Sequence, residues 1–176
     1  MPLNVLKKYP ELLELAHLSE FDRILSLKRI FKRDIEDNHS FSFRRKKIWP
    51  VKGEEPSMQI LFRHLTTEEI DEKDENEKVY QRRIFEMDRS MRLHWIKPHV
   101  DEAISDEIEV FSTEERIHGK NTFRTYVYNR KHKYVLVMEP QRSGNDYYLL
   151  SAYYLNRSYG EKIIEKKMKN RLAQLL

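Results

Sequence analysis

The chain contains no cysteine. Disulfides, thiol nucleophiles and cysteine-ligated zinc are therefore excluded, and a reducing compartment is compatible with the sequence. Seven histidines are present, but no HxxxH or HxH pair occurs, and the carboxylates near them do not follow the spacing of metal ligands. We therefore expect no bound metal.

Glycine is scarce, with four residues among 176. The glycine-rich loops that cradle phosphates are absent, so no nucleotide cofactor is expected. No apolar run approaches the length of a membrane span, and no signal-peptide pattern opens the chain. The expected location is the cytoplasm, with no membrane partner.

Charged residues are abundant, and Lys and Arg exceed Asp and Glu by 33 to 29. This net charge of +4 favours an anionic partner, and it is equally compatible with a solvated surface that has a slight cationic excess. The length suffices for one compact domain with a core and a small appendage.

Residues 1–38 are predicted to form a helical hairpin. Pro10 suits the first turn of a helix, and the pair Ser19 and Asp22 resembles a capping box that starts a second helix. Apolar residues recur at helical spacing, at Leu12, Leu15 and Leu18 and then at Ile24, Leu27, Phe31 and Ile35.

Residues 39–176 are predicted to form one α+β domain with a four-stranded antiparallel meander and a C-terminal helix. Residues 79–104 have helical periodicity, and residues 159–175 form a basic amphipathic pattern. Strand patterns occur near residues 108–112, 123–128, 134–139 and 147–155. Residues 68–78, with the sequence EEIDEKDENEK, indicate an acidic, solvated loop, with a solvated helix as the alternative.

The predicted strands carry hydroxyl, tyrosine and basic side chains. Alternation puts Ser151 and Tyr153 on one face of the last strand, and Arg124 and Tyr126 on one face of an earlier strand. Pairing in a meander can align those two faces. Such a surface can bind a polyanion or cleave a phosphodiester.

His94 and Lys97 are helical neighbours at three-residue spacing. A histidine beside a cation loses proton affinity and can act as a base near neutral pH. Metal-free RNA cleavage needs such a base, an acid and cations for the developing charge. We therefore predict a catalytic set of His94, Lys97, Arg124, Ser151 and Tyr153. The alternative is that His94 caps a helix end and Lys97 is solvated.

Further basic and aromatic residues are candidate nucleic-acid contacts: Arg92, Tyr126, Arg142, Arg44, Arg45, Lys46 and Lys47. The run from Arg44 to Lys47 is either a solvated strip or a strip that contacts phosphates.

Three segments, RRIFEMDRSMRLHWIKPHVDEA, FRTYVYN and KYVLVMEPQRSGNDYYLLSAYYLN, resemble phage and mobile-element members of the Barnase–EndoU–colicin–RelE-like nuclease superfamily. Ser151 stands where many members carry threonine. The resemblance covers about residues 82–156 and implies a small α+β fold with a metal-independent ribonuclease site. It assigns Arg124 and Thr125 to one strand of that site, and Ser151 and Tyr153 to the last.

The resemblance implies a metal-independent endoribonuclease, either a toxin or a phage or mobile-element protein. Its partners would be RNA, with tRNA and mRNA as candidates, and a cognate antitoxin or immunity protein. The alternative is a non-catalytic module that binds nucleic acid or protein, such as a phage accessory or antitoxin-like protein. A structural phage component is a third option. The distinguishing feature is whether His94 and Arg124 share one cleft.

Overall fold

A six-stranded sheet with helices on both faces organises the computed structural model, which describes residues 3–51 and 56–176. Residues 1, 2 and 52–55, which belong to the predicted hairpin and the predicted α+β domain, lie outside the described residues. The α-helices are α1 Glu20–Phe31, α2 Ser57–Thr66, α3 Met87–Ser90, α4 Ile96–Val100 and α5 Ser158–Lys169. The strands are β1 Ser42–Phe43, β2 Lys46–Pro50, β3 Thr67–Lys73, β4 Val79–Phe85, β5 Ile108–Ile117, β6 Lys120–Asn129, β7 Tyr134–Pro140 and β8 Tyr147–Tyr154.

The sheet has the strand order β1-β2-β8-β7-β6-β5, and only the β2–β8 pair is parallel. The α+β class is confirmed, and the four predicted strands form the antiparallel part β5–β8. The prediction of a four-stranded sheet is wrong, because β2 and β1 extend it beyond β8. The Asp146 carboxylate fixes this extension, since it accepts the Lys47 backbone N–H and the Trp49 indole N–H, each at 3.0 Å.

Two hydrophobic clusters occupy the two faces of the sheet. Val127 and Leu136 belong to the larger cluster, and their neighbours Tyr126 and Val135 belong to the smaller one. Successive side chains of a strand point to opposite faces, so the clusters lie on opposite sides. Residues of α1, α2 and α4 pack in the larger cluster and Ile164 of α5 packs in the smaller. We call these sides the large-core face and the α5 face.

The predicted first helix of the N-terminal hairpin is wrong, because residues 7–19 contain no α-helix. Leu13 and Leu15 are buried while Leu12 is exposed, which is the two-residue alternation of an extended chain. The second helix is confirmed. The Ser19 hydroxyl accepts the Asp22 backbone N–H at 3.1 Å, as the capping pattern predicts.

The predicted acidic loop is also wrong, because residues 67–85 form the hairpin β3–β4. Acidic side chains of β3 pair with arginines of β4: Glu72 lies 2.9 Å from Arg82 and Glu69 lies 3.4 Å from Arg83. Cross-strand pairs of opposite charge stabilise a hairpin that the acidic segment alone does not suggest. The predicted helix over 79–104 is consequently limited to α3, a 3-10 turn over Leu93–Trp95, and α4.

The predicted C-terminal helix ends at Lys169, and residues 170–176 form a tail that returns to the sheet. The Leu172 backbone N–H donates to the Ser112 carbonyl at 2.8 Å, and the Leu176 backbone N–H donates to the Ser112 hydroxyl at 3.0 Å. Over residues 3–51 and 56–176, no helix has the length and apolarity needed to cross a bilayer.

Candidate functional site

The five predicted catalytic residues lie in two separate places. Arg124, Ser151 and Tyr153 stand on strands β6 and β8, whereas His94 and Lys97 belong to the helical segment that packs on the large-core face. His94 and Lys97 line one cavity, and Arg124 does not line it. The predicted five-residue site is therefore not assembled, because the sheet itself separates its two halves.

The strand register places three of these residues on one face. Tyr126 of β6 lies opposite Val137 of β7, and Val137 lies opposite Ser151 of β8. Arg124 precedes Tyr126 by two residues and Tyr153 follows Ser151 by two. The two-residue period of a strand therefore places Arg124, Ser151 and Tyr153 together on the α5 face.

The protein itself occupies much of that face. Arg124 is largely covered, and its Nη1 lies 2.9 Å from Oε2 of Glu139, although the contact lacks the geometry of a hydrogen bond. Tyr126 is buried and its hydroxyl donates to Glu115. Burial against α5 raises the pKa of Tyr153. The prediction that Tyr126 contacts nucleic acid is wrong, because its ring is inaccessible.

A cavity of about 550 Å³ lies where the N-terminal segment meets α4 and the loops that flank β5 and β7. We call it the histidine cavity. It is lined by residues that include Tyr9, His94, Lys97, Asp106 and His132. The predicted site residues His94 and Lys97 thus share this cavity with Tyr9, Asp106 and His132, which the sequence patterns do not single out.

His94 is buried in the wall of the histidine cavity, with 4% of its surface exposed. Neither ring nitrogen has a hydrogen-bond partner among the described residues. Desolvation lowers the pKa of His94 to about 4, and the Glu11 carbonyl opposes this shift without forming a hydrogen bond of acceptable geometry. The ring is therefore neutral near pH 7, and burial rather than Lys97 is the cause.

Asp106 is the centre of a polar network in the histidine cavity. Its carboxylate accepts a hydrogen bond from the Tyr9 hydroxyl, lies 2.9 Å from the Lys131 ammonium and lies 3.5 Å from Nε2 of His132. The Tyr9 hydrogen bond and the Lys131 charge lower the pKa of Asp106, and burial raises that of Tyr9. No local sequence pattern indicates this network, because Tyr9 and Asp106 are 97 positions apart.

A second cavity of about 960 Å³ lies at the other end of the sheet, between the start of β6, the end of β7 and the C-terminal tail. We call it the basic cavity. It is lined by residues that include Lys46, Lys120, Phe123, Arg142 and Leu175. Lys46 and Arg142 are among the predicted nucleic-acid contacts, whereas Lys120 and Phe123 are residues that the sequence patterns do not single out.

The three cations of the basic cavity have no carboxylate partner within the described ranges. The Lys46 ammonium lies 5.1 Å from the ring centre of Tyr147, and Lys120 and Arg142 form no ion pair with a described residue. Glu139 provides the one side-chain carboxylate among the described residues of this wall, and it faces Arg124. Phe123 is 43% exposed, so an aromatic face is accessible beside the cations.

Arg92 does not serve as an accessible phosphate ligand. It is buried, and its guanidinium carbon lies 3.8 Å from the ring centre of Tyr154. Its Nη1 donates to the Asp88 carbonyl at 2.7 Å. The prediction that Arg92 contacts nucleic acid is therefore wrong, because the side chain packs inside the fold.

The predicted basic strip does not act as a unit. Arg44 pairs with Glu102 at 2.8 Å, and the Lys47 ammonium lies 3.9 Å from the centre of an indole ring. Arg45 is exposed in the turn between β1 and β2, whereas Lys46 points toward the basic cavity. Alternation along β2 separates Lys46 from Lys47, so the four residues face different surroundings.

No family model, curated protein or solved structure matches this chain. The nuclease-superfamily resemblance therefore stays a prediction. Within residues 3–51 and 56–176, no group of three or more His, Asp or Glu side chains is arranged to hold a metal ion.

Proposed function

We propose that the protein binds single-stranded nucleic acid, with RNA as the expected ligand, through the basic cavity. One observation carries this proposal: Lys46, Lys120 and Arg142 line a large cavity without carboxylate partners among the described residues. Cations already paired with carboxylates contribute little to phosphate binding. Unpaired cations release the counterions of the nucleic acid when they contact its phosphates, and this release favours association.

The remaining wall of the basic cavity suits nucleobases. The exposed face of Phe123 can stack with any base, which is how proteins bind single strands with little sequence preference. The side-chain amides of Asn121 and Gln141 also line the cavity and can hydrogen-bond with base edges. Bases reach such a concave site only when they are unpaired, so we expect single strands to bind better than duplexes.

Fluorescence anisotropy with a labelled oligouridine tests the proposal. Affinity should fall steeply as salt rises, and each of Lys46→Ala and Arg142→Ala should reduce the slope of log K against log salt by about 1. Lys162→Ala, an exposed lysine of α5, is the matched control and should leave both affinity and slope unchanged. Binding that is absent, or that does not change between low and physiological salt, would contradict the proposal.

Metal-independent ribonuclease activity is a second candidate. It is supported by one relationship, the shared position of Arg124 and Ser151 on the α5 face. It is weakened by the location of His94 and Lys97 on the other side of the sheet. Incubation with total RNA in EDTA tests it. If a site on this face cleaves RNA, Arg124→Ala should cost about 2–4 kcal/mol of transition-state stabilisation. If RNA stays intact in the presence of the wild-type protein, the ribonuclease proposal is contradicted and only the binding proposal is kept.

A further inference from the structure

We propose that the histidine cavity is a second ligand site and that it binds a phosphomonoester group. This inference does not depend on the proposed function, because the two cavities share no lining residue. They lie at opposite ends of β6, with Lys120 at one end and the turn after Asn129 at the other. Nine residue steps at the rise of a strand separate these ends by about 30 Å.

The first observation is the unpartnered imidazole of His94. A buried polar group that lacks a hydrogen bond reduces stability, and an apolar side chain of similar size would avoid that cost. His94 is 4% exposed and lines the cavity, and neither ring nitrogen forms a hydrogen bond of acceptable geometry in the described part of the chain, although the Glu11 carbonyl lies near the ring. Both ring nitrogens are closed to a water-sized molecule in the free protein, so a ligand oxygen reaches His94 only when neighbouring side chains of the cavity wall move. The neutral ring can then donate one N–H and accept one hydrogen bond.

The second observation is the charge of the wall. Five cationic side chains line the cavity: Lys7, Lys8, Arg33, Lys97 and Lys131. The two lining carboxylates already have cationic partners, since Asp34 pairs with Arg33 at 2.6 Å and Asp106 pairs with Lys131 at 2.9 Å. Three lysines therefore exceed the negative charge of the wall.

These three lysines differ in availability. The ammonium group of Lys8 has no carboxylate partner within residues 3–51 and 56–176. Lys7 pairs with Glu14 at 2.8 Å and Lys97 pairs with Asp101, and neither carboxylate lines the cavity. Surface ion pairs of this kind are weak, so an incoming anion can take over a lysine at little cost. Lys8 is the residue most available to a ligand.

The chemistry of these groups favours phosphate over carboxylate. A phosphomonoester dianion has three terminal oxygens, which can accept together from Lys8, Lys97 and the N–H of His94. A carboxylate has two oxygens and half the charge. The volume of about 550 Å³ fits a small molecule or the end of a chain. The phosphate can belong to a free metabolite or to the terminal nucleotide of a nucleic acid, and the experiment below separates these sources.

Glycerol 3-phosphate, with glycerol as the uncharged control, is titrated into protein carrying isotope-labelled histidine, and the ring signals are followed by NMR. The His94 ring signals should shift with glycerol 3-phosphate and not with glycerol. Lys8→Ala should weaken binding about tenfold, as the loss of one charge-assisted contact does. Lys28→Ala, an exposed lysine of α1 outside the cavity, should bind as the wild type does.

His94→Leu should abolish the saturable shift of the remaining histidine rings while the protein stays folded. If that variant does not fold, Lys8→Ala still tests the site, because Lys8 is exposed and supports no core packing. A His94 signal that does not move at millimolar phosphomonoester would overturn the proposal. Equal affinities of Lys8→Ala and Lys28→Ala would overturn it as well.

The source of the phosphate is tested in a Lys46→Ala/Lys120→Ala/Arg142→Ala background, which removes the cations of the basic cavity. A 5′-phosphorylated oligonucleotide is compared there with its 5′-hydroxyl form. A stronger His94 shift with the phosphorylated form would assign the site to a nucleic-acid terminus. A response to glycerol 3-phosphate alone would assign it to a small phosphorylated molecule. Absence of both responses would remove the inference, whatever the basic cavity binds.

Discussion

Arg124 lies 2.9 Å from Glu139 across the β6–β7 pair, on the face of the sheet that also carries Ser151. The pair neutralises the cation that the sequence assigns to catalysis. Arg124 is 15% exposed and Glu139 34% exposed, so water screens the carboxylate more than the guanidinium. Any phosphate on this face must compete with Glu139, which favours a structural role for Arg124 in the free protein.

Arg124→Ala is expected to lower the free energy of unfolding by about 1 kcal/mol, because it leaves Glu139 without its partner. Arg124→Ala/Glu139→Ala should cost less than the sum of the two single variants. Urea unfolding of all four proteins completes the double-mutant cycle. Strictly additive costs would show that the two charges do not interact in solution.

His94→Leu is expected to keep or raise stability, by up to about 1 kcal/mol, because it removes a buried imidazole without hydrogen-bond partners. Most substitutions of a buried residue destabilise, so this outcome is distinctive. Thermal unfolding at pH 7.5 provides the measurement. Ile96→Ala, which empties a neighbouring apolar position of the same core, is the comparison and should destabilise by about 2–5 kcal/mol. A large loss of stability in His94→Leu would indicate a structural partner for the ring.

The free energy of unfolding should fall as pH decreases from 6.5 to about 4. Desolvation lowers the pKa of His94 and that of His99 from 6.5 to about 4. Over this range the unfolded state binds protons that the folded state excludes, so acid favours unfolding. Each histidine can contribute about 3 kcal/mol at most. The free energy of unfolding should change less steeply with pH in His94→Leu than in the wild type. Urea titrations at several pH values measure this slope. Equal slopes would mean that His94 titrates normally.

Local sequence patterns predicted part of the local structure of this protein, namely α1 and the four strands β5–β8. Ser19 caps α1 as the pattern indicates, and Ser151 and Tyr153 share one face of β8. The alternation fails at a bulge before Ser151, which places Tyr147 and Leu149 on the large-core face instead. The parallel pairing of Ile48 with Tyr147 could not be predicted, because it joins strands about 100 positions apart and no local signal records it. The role of Asp106 could not be predicted for the same reason, because its partner Tyr9 is also distant in the sequence.

Predicting the function requires knowing which distant residues come together, and it requires this more than predicting the fold does. The sequence allows His94 and Arg124 to share one cleft. In the folded protein the sheet lies between them, so they do not. Lys46 and Arg142 were recognised by charge alone, and folding brings them to Lys120. Residue type was therefore a useful guide to which side chains could bind a phosphate, and a poor guide to which of them act together.

Ser19→Ala is expected to destabilise the protein by about 1 kcal/mol, because the Asp22 backbone N–H loses its acceptor at the start of α1. Ser19→Asn should restore most of that loss, since asparagine also caps helices and its amide can donate to the Asp22 carboxylate as the Ser19 hydroxyl does. Chemical unfolding measures both variants. Equal stability of Ser19→Ala and the wild type would show that water replaces the cap.

Phe123→Ala is expected to weaken the binding of single-stranded RNA by about 1–3 kcal/mol for every base sequence, because stacking on an aromatic ring does not depend on base identity. Phe21→Ala is the matched control: Phe21 is 75% exposed on α1 and lies outside the basic cavity. Anisotropy titrations with oligouridine and oligoadenosine at one fixed salt concentration provide the measurement.

The salt slope should stay the same in Phe123→Ala, since no phosphate contact is lost, whereas Lys120→Ala should reduce it by about 1. An equal loss of affinity in Phe21→Ala would mean that apolar exposure in general, and not the basic cavity, governs binding. A changed salt slope in Phe123→Ala would mean that the substitution displaces the cations around it.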